Sequence, residues 1–140
     1  NWTATPDSVS ARLVEAVQSV AAQADAVIVM DQVDLAGTGV VTTAVLRAVS
    51  EVARARPEMP IIADSRRGLG GFPPVIFKMN AAELAALLGI PAEASVEAIR
   101  AQAAVLARRN GRPVFITLSE RGIVGAAADG ETWHVPCFPI

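Results

Sequence analysis

Histidine, cysteine and lysine each occur once in this chain, and that scarcity closes off several kinds of chemistry. A lone cysteine, Cys137, excludes an intrachain disulfide and a cysteine-rich zinc site. It stands in Val135-Pro136-Cys137-Phe138-Pro139 with no general base beside it, and reads as a small core residue rather than a nucleophile. His134, between Trp133 and Val135 in a strand-like segment, reads as a packed or surface residue rather than a catalyst. No apolar run approaches the roughly 20 residues that span a bilayer, so no membrane partner is expected. Nor does a basic segment followed by an apolar one open the chain; with nothing to mark it for secretion, a soluble, cytoplasmic protein is expected. The net charge of −2 comes from acids and bases scattered at helical spacing rather than gathered in a stripe, which argues against a nucleic-acid partner.

What is present is apolar material in regular alternation. With 140 residues, 52% of them hydrophobic, the chain can bury one substantial core, and a single domain over 1–140 is expected. After the start signal Pro6-Asp7, the residues Val9, Leu13, Val14, Val17 and Val20 mark one face of a helix to about Gln23. Ala26 to Met30 reads as a buried strand ending at Asp31. A loop with Gly37 and Gly39 leads to a helix from about Thr42 to Arg56 that turns Val45, Leu46, Val49 and Val52 inward, with Pro57 past its end. Pro60 to Ala63 is a second strand stopping at Asp64, and Ser65 to Pro74, rich in arginine, glycine and proline, is irregular. Val75 to Lys78 is a third strand, followed by a helix from Asn80 to Leu88 with Gly89 as its cap. A longer helix runs from Ser95 to Asn110-Gly111, and Val114 to Leu118 is the fourth strand. Beyond the turn Ser119 to Gly122 comes a hairpin, Ile123 to Ala127 and Thr132 to Val135 about Asp129-Gly130. Strands alternating with helices are the mark of βαβ units and a mainly parallel sheet.

Each strand of this series ends in side chains able to bind a ligand: Asp31, Asp64, Asn80 and the Thr117/Ser119 turn. In an open parallel sheet, ligands sit beyond the carboxyl ends of the strands, so these groups are expected along one edge. Asn80 and Glu83 admit two readings. As N-cap and N3 residues they compose a capping box, which needs no ligand; at the start of a helix they also converge with free N–H groups where a hydrated metal ion and phosphate oxygens can be held. Gly37-Thr38-Gly39 is only superficially a phosphate loop, since no further glycine of that fingerprint accompanies it.

Lys78-Met79-Asn80-Ala81-Ala82-Glu83-Leu84 resembles the Lys-Pro-Asn-x-x-Glu-Leu segment of the ribokinase-like (PfkB) carbohydrate kinases, with Met79 in place of proline. Ile116-Thr117-Leu118-Ser119-Glu120-Arg121-Gly122 is similar to their Val/Ile-Thr-Leu-Gly-x-x-Gly turn, with Ser119 in place of the more frequent glycine. Ala24 to Asp31 and Ile61 to Arg66 look like the two preceding strands, so the likeness spans essentially the whole chain. The resemblance implies a ribokinase-like three-layer α/β/α fold with a mainly parallel sheet and a C-terminal β-hairpin, truncated at both ends. On this reading the chain is the nucleotide-side part of a larger kinase domain. The sugar-binding region and lid would precede residue 1, and the Gly-Ala-Gly-Asp turn with the catalytic base would follow Ile140, leaving no catalytic residue within the chain.

The same resemblance implies ATP and Mg²⁺ as cofactors and a sugar or sugar phosphate as the small-molecule partner, with a homodimer of the full-length protein as a further option. Asn80 and Glu83 would hold Mg²⁺ through water, because magnesium keeps much of its hydration shell. Asn80, Thr117, Leu118, Ser119, Glu120, Arg121 and Gly122 would bind the nucleotide. Asp31, Asp64 and Lys78 would face the sugar or the transferring phosphoryl group, where strand-end aspartates otherwise cap turns. The loop with Arg66, Arg67, Gly68, Gly70 and Gly71 suits a phosphorylated sugar and equally an ordinary surface loop. Two other classes compete: a kinase-like module kept for binding or regulation, and a flavodoxin- or Rossmann-type nucleotide binder. The latter calls for a glycine fingerprint after the first strand, where this chain has Asp31-Gln32-Val33-Asp34.

Overall fold

Helix α1 (Asp7–Ala21) starts at Pro6, whose fixed φ of −58° suits an N-terminus; its carbonyl accepts from the amides of Val9 and Ser10 at 3.0 and 2.9 Å. The far end is closed by another segment. The Arg56 guanidinium donates from Nη1 to the carbonyls of Ala21 and Ala24 at 2.6 and 2.9 Å, covering acceptors that a helix C-terminus leaves unpaired. The structure, a computed structural model, describes residues 2–138 and divides into two compact units, Asn1–Val75 and Ile76–Ile140.

In the first unit, β1 (Val27–Asp31) pairs in parallel with β2 (Ile61–Ser65), Val27 opposite Ile61 and Asp31 opposite Ser65. Their connection runs through α2 (Thr43–Ala55), which packs on α1. Thr42 caps α2 by accepting from the Val45 amide, and its hydroxyl shares a 2.7 Å hydrogen bond with Ser10 of α1. Alternation along the strands buries Val29, Asp31, Ile61, Ala63 and Ser65 on one face. The expectation of a wholly buried first strand fails on the other face: Ile28 is 68% and Met30 51% exposed, because the packing of this unit serves one side of the pair only. The α1 stripe needs a similar correction. Val9 and Val20 are exposed, while Ser10 and Ala21, a position further round, make the buried contacts with Leu13, Val14 and Val17 half-buried between them.

The second unit is better filled. Strand β3 (Ile76–Asn80) lies parallel to β4 (Val114–Thr117), and β5 (Ile123–Ala126) and β6 (Thr132–Val135) continue the sheet antiparallel, as the hairpin signal predicts. Helices α3 (Ala81–Leu88) and α4 (Val96–Asn110) pack on the strands, and Leu84, Ile99, Ala103, Val114, Ile116, Val124 and Ala126 are fully buried between the layers. Ser95 caps α4 through the Ala98 amide, and Gly89 and Gly111 end the two helices in the left-handed conformation. Two arginines of α4 fasten the hairpin: Arg100 donates to the Thr132 hydroxyl and carbonyl at 3.0 and 2.9 Å, and Arg108 to the Asp129 carbonyl at 3.2 Å. Across the strands, Trp133 reaches over Gly125 to meet Phe115 edge-on at 6.2 Å between centroids. A Cβ on Gly125 would lie 2.2 Å from the indole, so only glycine leaves room for that contact.

Candidate functional site

Asn80 is both the last residue of β3 and the N-cap of α3. Its backbone at φ −91° and ψ 173° is that of a strand, so strand and helix join without a loop and the strand runs two residues beyond the apolar stretch that announces it. The capping box is complete: Asn80 Oδ1 accepts from the Glu83 amide at 2.9 Å and Glu83 Oε2 from the Asn80 amide at 2.8 Å. One oxygen of each side chain is therefore engaged. Glu83 Oε1 has no hydrogen bond among the described residues and is the atom able to accept from a water on a metal ion.

In register, Thr117 is the partner of Asn80, which sets the helix start and the following turn side by side at the carboxyl end of two parallel strands. The Thr117 hydroxyl donates to the Met79 carbonyl at 3.4 Å. Past it, Ser119–Arg121 form a single 3₁₀ turn closed by bonds from the Leu118 amide to the Gly122 carbonyl, 2.8 Å, and from the Arg121 and Gly122 amides to the Leu118 and Ser119 carbonyls, 3.1 Å each. Those three amides are spent within the turn, and among the described residues nothing accepts from the backbone donors of Ser119 and Glu120. Ser119, standing where the resembling motif has glycine, is the one non-glycine among the described residues with positive φ, at +53°. Arg121 reaches out of the turn to the Ala94 carbonyl ahead of α4. Lys78, two residues before Asn80 on the same side of β3, is half-buried beside Phe115 of β4.

Asp31 and Asp64 do not converge. Asp31 is opposite Ser65 on the buried face of the β1–β2 pair, whereas Asp64 is opposite Met30 on the other face, since side chains alternate along a strand. At 1% exposure Asp31 is closed to solvent. Its Oδ2 takes a 2.5 Å ion pair from Arg67 Nη2 and a 3.2 Å hydrogen bond from Ser65 Oγ, while its carbonyl accepts from the Arg66 amide at 2.9 Å. Asp31 thus anchors the arginine- and glycine-containing loop, and Arg67 is the residue it holds. Nothing in the sequence announces that pair, whose members are 36 positions apart.

Among the described residues no three histidine, cysteine, aspartate or glutamate side chains gather as a metal cage. The donor set fits a magnesium ion that keeps its waters and takes phosphate oxygens, with one carboxylate in its outer shell, and does not fit a zinc or calcium cage. No helix among those residues is long and apolar enough to cross a membrane.

No protein-family model and no curated protein sequence matches the chain. Solved structures do. Phosphofructokinase-2 from Escherichia coli in complex with fructose-6-phosphate matches with a TM-score of 0.65 at 17% identity, over 98% of this chain and 45% of that one. Ribokinase from Giardia lamblia matches at 0.65 and 13% identity, over 91% of this chain and 40% of its own. Arabidopsis thaliana ribokinase complexed with ribose and ATP matches at 0.62 and 19% identity, over 97% and 40%. The chain spans less than half the length of each of these structures. The register of β3 on β4, the capped helix start, the closing hairpin and these matches lead to one conclusion: this chain has the ribokinase-like α/β fold.

Proposed function

We propose that this chain is the nucleotide and magnesium side of an ATP-dependent carbohydrate kinase, acting on a hydroxyl of a sugar or sugar phosphate. One observation carries the reading: the Asn80–Glu83 helix start and the Thr117–Gly122 turn are neighbours at the carboxyl end of a parallel strand pair in a ribokinase-like fold. Phosphoryl transfer asks the protein mainly for positioning and charge neutralisation. Bound magnesium would supply that neutralisation at the phosphates. Glu83 would orient a magnesium-bound water through Oε1, and its Oε2 keeps the side chain fixed by the bond to the Asn80 amide. The Ser119 and Glu120 amides and the Ser119 hydroxyl would meet the nucleotide. Lys78 would add positive charge on the same side of β3. The base that deprotonates the sugar is assigned to the segment after Ile140, and the sugar itself to the preceding part of the full protein.

Calorimetric titration of the chain with ADP, with and without Mg²⁺, tests this reading. Binding strengthened by Mg²⁺ is expected, and Glu83→Gln should remove most of that strengthening while leaving the melting temperature nearly unchanged, because glutamine still serves at N3. A folded chain that takes up no ADP would overturn the proposal. Identical Mg²⁺ dependence in Glu83→Gln and parent would return Glu83 to a purely capping role.

A further inference from the structure

The Ser119–Gly122 turn, closed by its own backbone bonds, is also held from outside itself. Gly122, at φ +93° and ψ −138°, takes a conformation open essentially to glycine alone, and Ser119, at φ +53°, one that non-glycine residues populate sparsely. Such conformations persist only where the surroundings over-determine them. Besides the Arg121 bond to the Ala94 carbonyl, the surroundings that touch its backbone are one short segment, residues 134–137. His134 Nε2 lies 2.7 Å from the Arg121 carbonyl oxygen, Cys137 Sγ donates to the Ser119 carbonyl at 3.2 Å, and between them the Val135 carbonyl and Pro136 come so close under Gly122 that a Cβ there would be 2.0 Å from the former. A carbonyl oxygen only accepts, so Nε2 carries the proton, and the bond persists whether the ring is neutral or protonated. Of the two side-chain donors, the imidazole N–H is the stronger and comes from a regular strand, β6.

We propose that His134 is the positioning residue of the nucleotide turn: by donating from Nε2 to the Arg121 carbonyl it fixes the turn in the conformation that presents Ser119 and Glu120 to the nucleotide. The inference rests on the reading that this turn binds nucleotide. Cys137 reinforces the arrangement from the Ser119 side, and Gly122 permits the close approach of β6. Nothing in this role calls for the imidazole to touch the ligand or to move a proton.

The test compares His134→Ala, His134→Asn and His134→Gln with the parent chain, in Mg²⁺. Glutamine carries its amide nitrogen at about the reach of Nε2, whereas asparagine is too short. ADP affinity should fall about three- to tenfold in His134→Ala and His134→Asn, the range expected for one lost hydrogen bond, and return to within about twofold in His134→Gln. Hydrogen exchange of the Leu118, Arg121 and Gly122 amides should accelerate in the first two variants and recover in the third, with the Ile116 and Val124 amides unchanged as a record of an intact sheet. Parental affinity and exchange in His134→Ala would overturn the proposal. So would a His134→Gln variant as impaired as His134→Ala, since the ring's bulk rather than its donor would then matter. If the parent takes up no ADP, the nucleotide reading falls, and the exchange rates alone decide whether His134 holds the turn.

Discussion

Replacing Gly122 by alanine should be far more damaging than replacing Gly111, although both glycines have positive φ. At Gly111 (φ +65°, ψ 15°) nothing lies within 4 Å of the added methyl, so the penalty is that of an L-residue in the left-handed region, about 1–2 kcal/mol, less the 0.4–1 kcal/mol or so returned by a stiffer unfolded chain. A net loss of about 1 kcal/mol follows. At Gly122 (φ +93°, ψ −138°) the conformation is nearly exclusive to glycine and costs about 1–3 kcal/mol for any other residue. The methyl would also stand 2.0 Å from the Val135 carbonyl oxygen and 2.8 Å from Pro136, both backbone atoms that no side-chain rotation can move aside. Overlap of this kind adds about 1–3 kcal/mol, bringing the net loss to about 3–4 kcal/mol. Urea unfolding followed by Trp133 fluorescence reports on the unit that holds both glycines, and Trp2, exposed at the other end of the chain, contributes a nearly constant background. The reasoning is refuted if the two variants lose stability within about 0.5 kcal/mol of each other, for the collision with β6 would then be absent in solution.

Removing the Arg67 guanidinium should cost more than removing a surface arginine, because it strands the Asp31 carboxylate at 1% exposure. Arg67→Ala is expected to lose about 2–4 kcal/mol, and Asp31→Asn combined with it less than the single change; a double variant that loses the sum of the Arg67→Ala and Asp31→Asn losses would show the pair to be uncoupled. The 140-residue chain incubated with ATP, Mg²⁺ and a panel of sugars and sugar phosphates should release no ADP above a denatured control, since the base and much of the sugar site are assigned outside it; measurable turnover would relocate the catalytic centre within the chain.

Much of this molecule was legible in its sequence because the signals are local. Thr42, Asn80 and Ser95 each offer a side-chain oxygen to an amide three residues on, and Gly89 and Gly111 take a conformation that other residues resist, so the ends of helices α2 to α4 follow from chemistry within one turn. The hairpin about Asp129-Gly130 follows for the same reason, with Glu131 donating its amide to the Asp129 side chain at 2.9 Å. Even the glycine replaced by Ser119 in the turn motif proves to mark a position of positive φ. What the sequence could not reveal depends on which distant group arrives beside which. Only the register of β1 on β2, with Asp31 opposite Ser65 and Asp64 opposite Met30, shows that the two aspartates lie on opposite faces and that Asp31 meets Arg67 on the buried one. Ile28 and Met30 read as core residues because they are apolar, and are exposed because burial depends on what packs against them. His134 and Cys137, unremarkable in a strand-like stretch, acquire a role only because antiparallel pairing of β6 with β5 brings residues 134–137 beneath the 119–122 turn. Local propensity acts through neighbours in the chain, and contacts between elements act through neighbours in space, which only the tertiary structure decided.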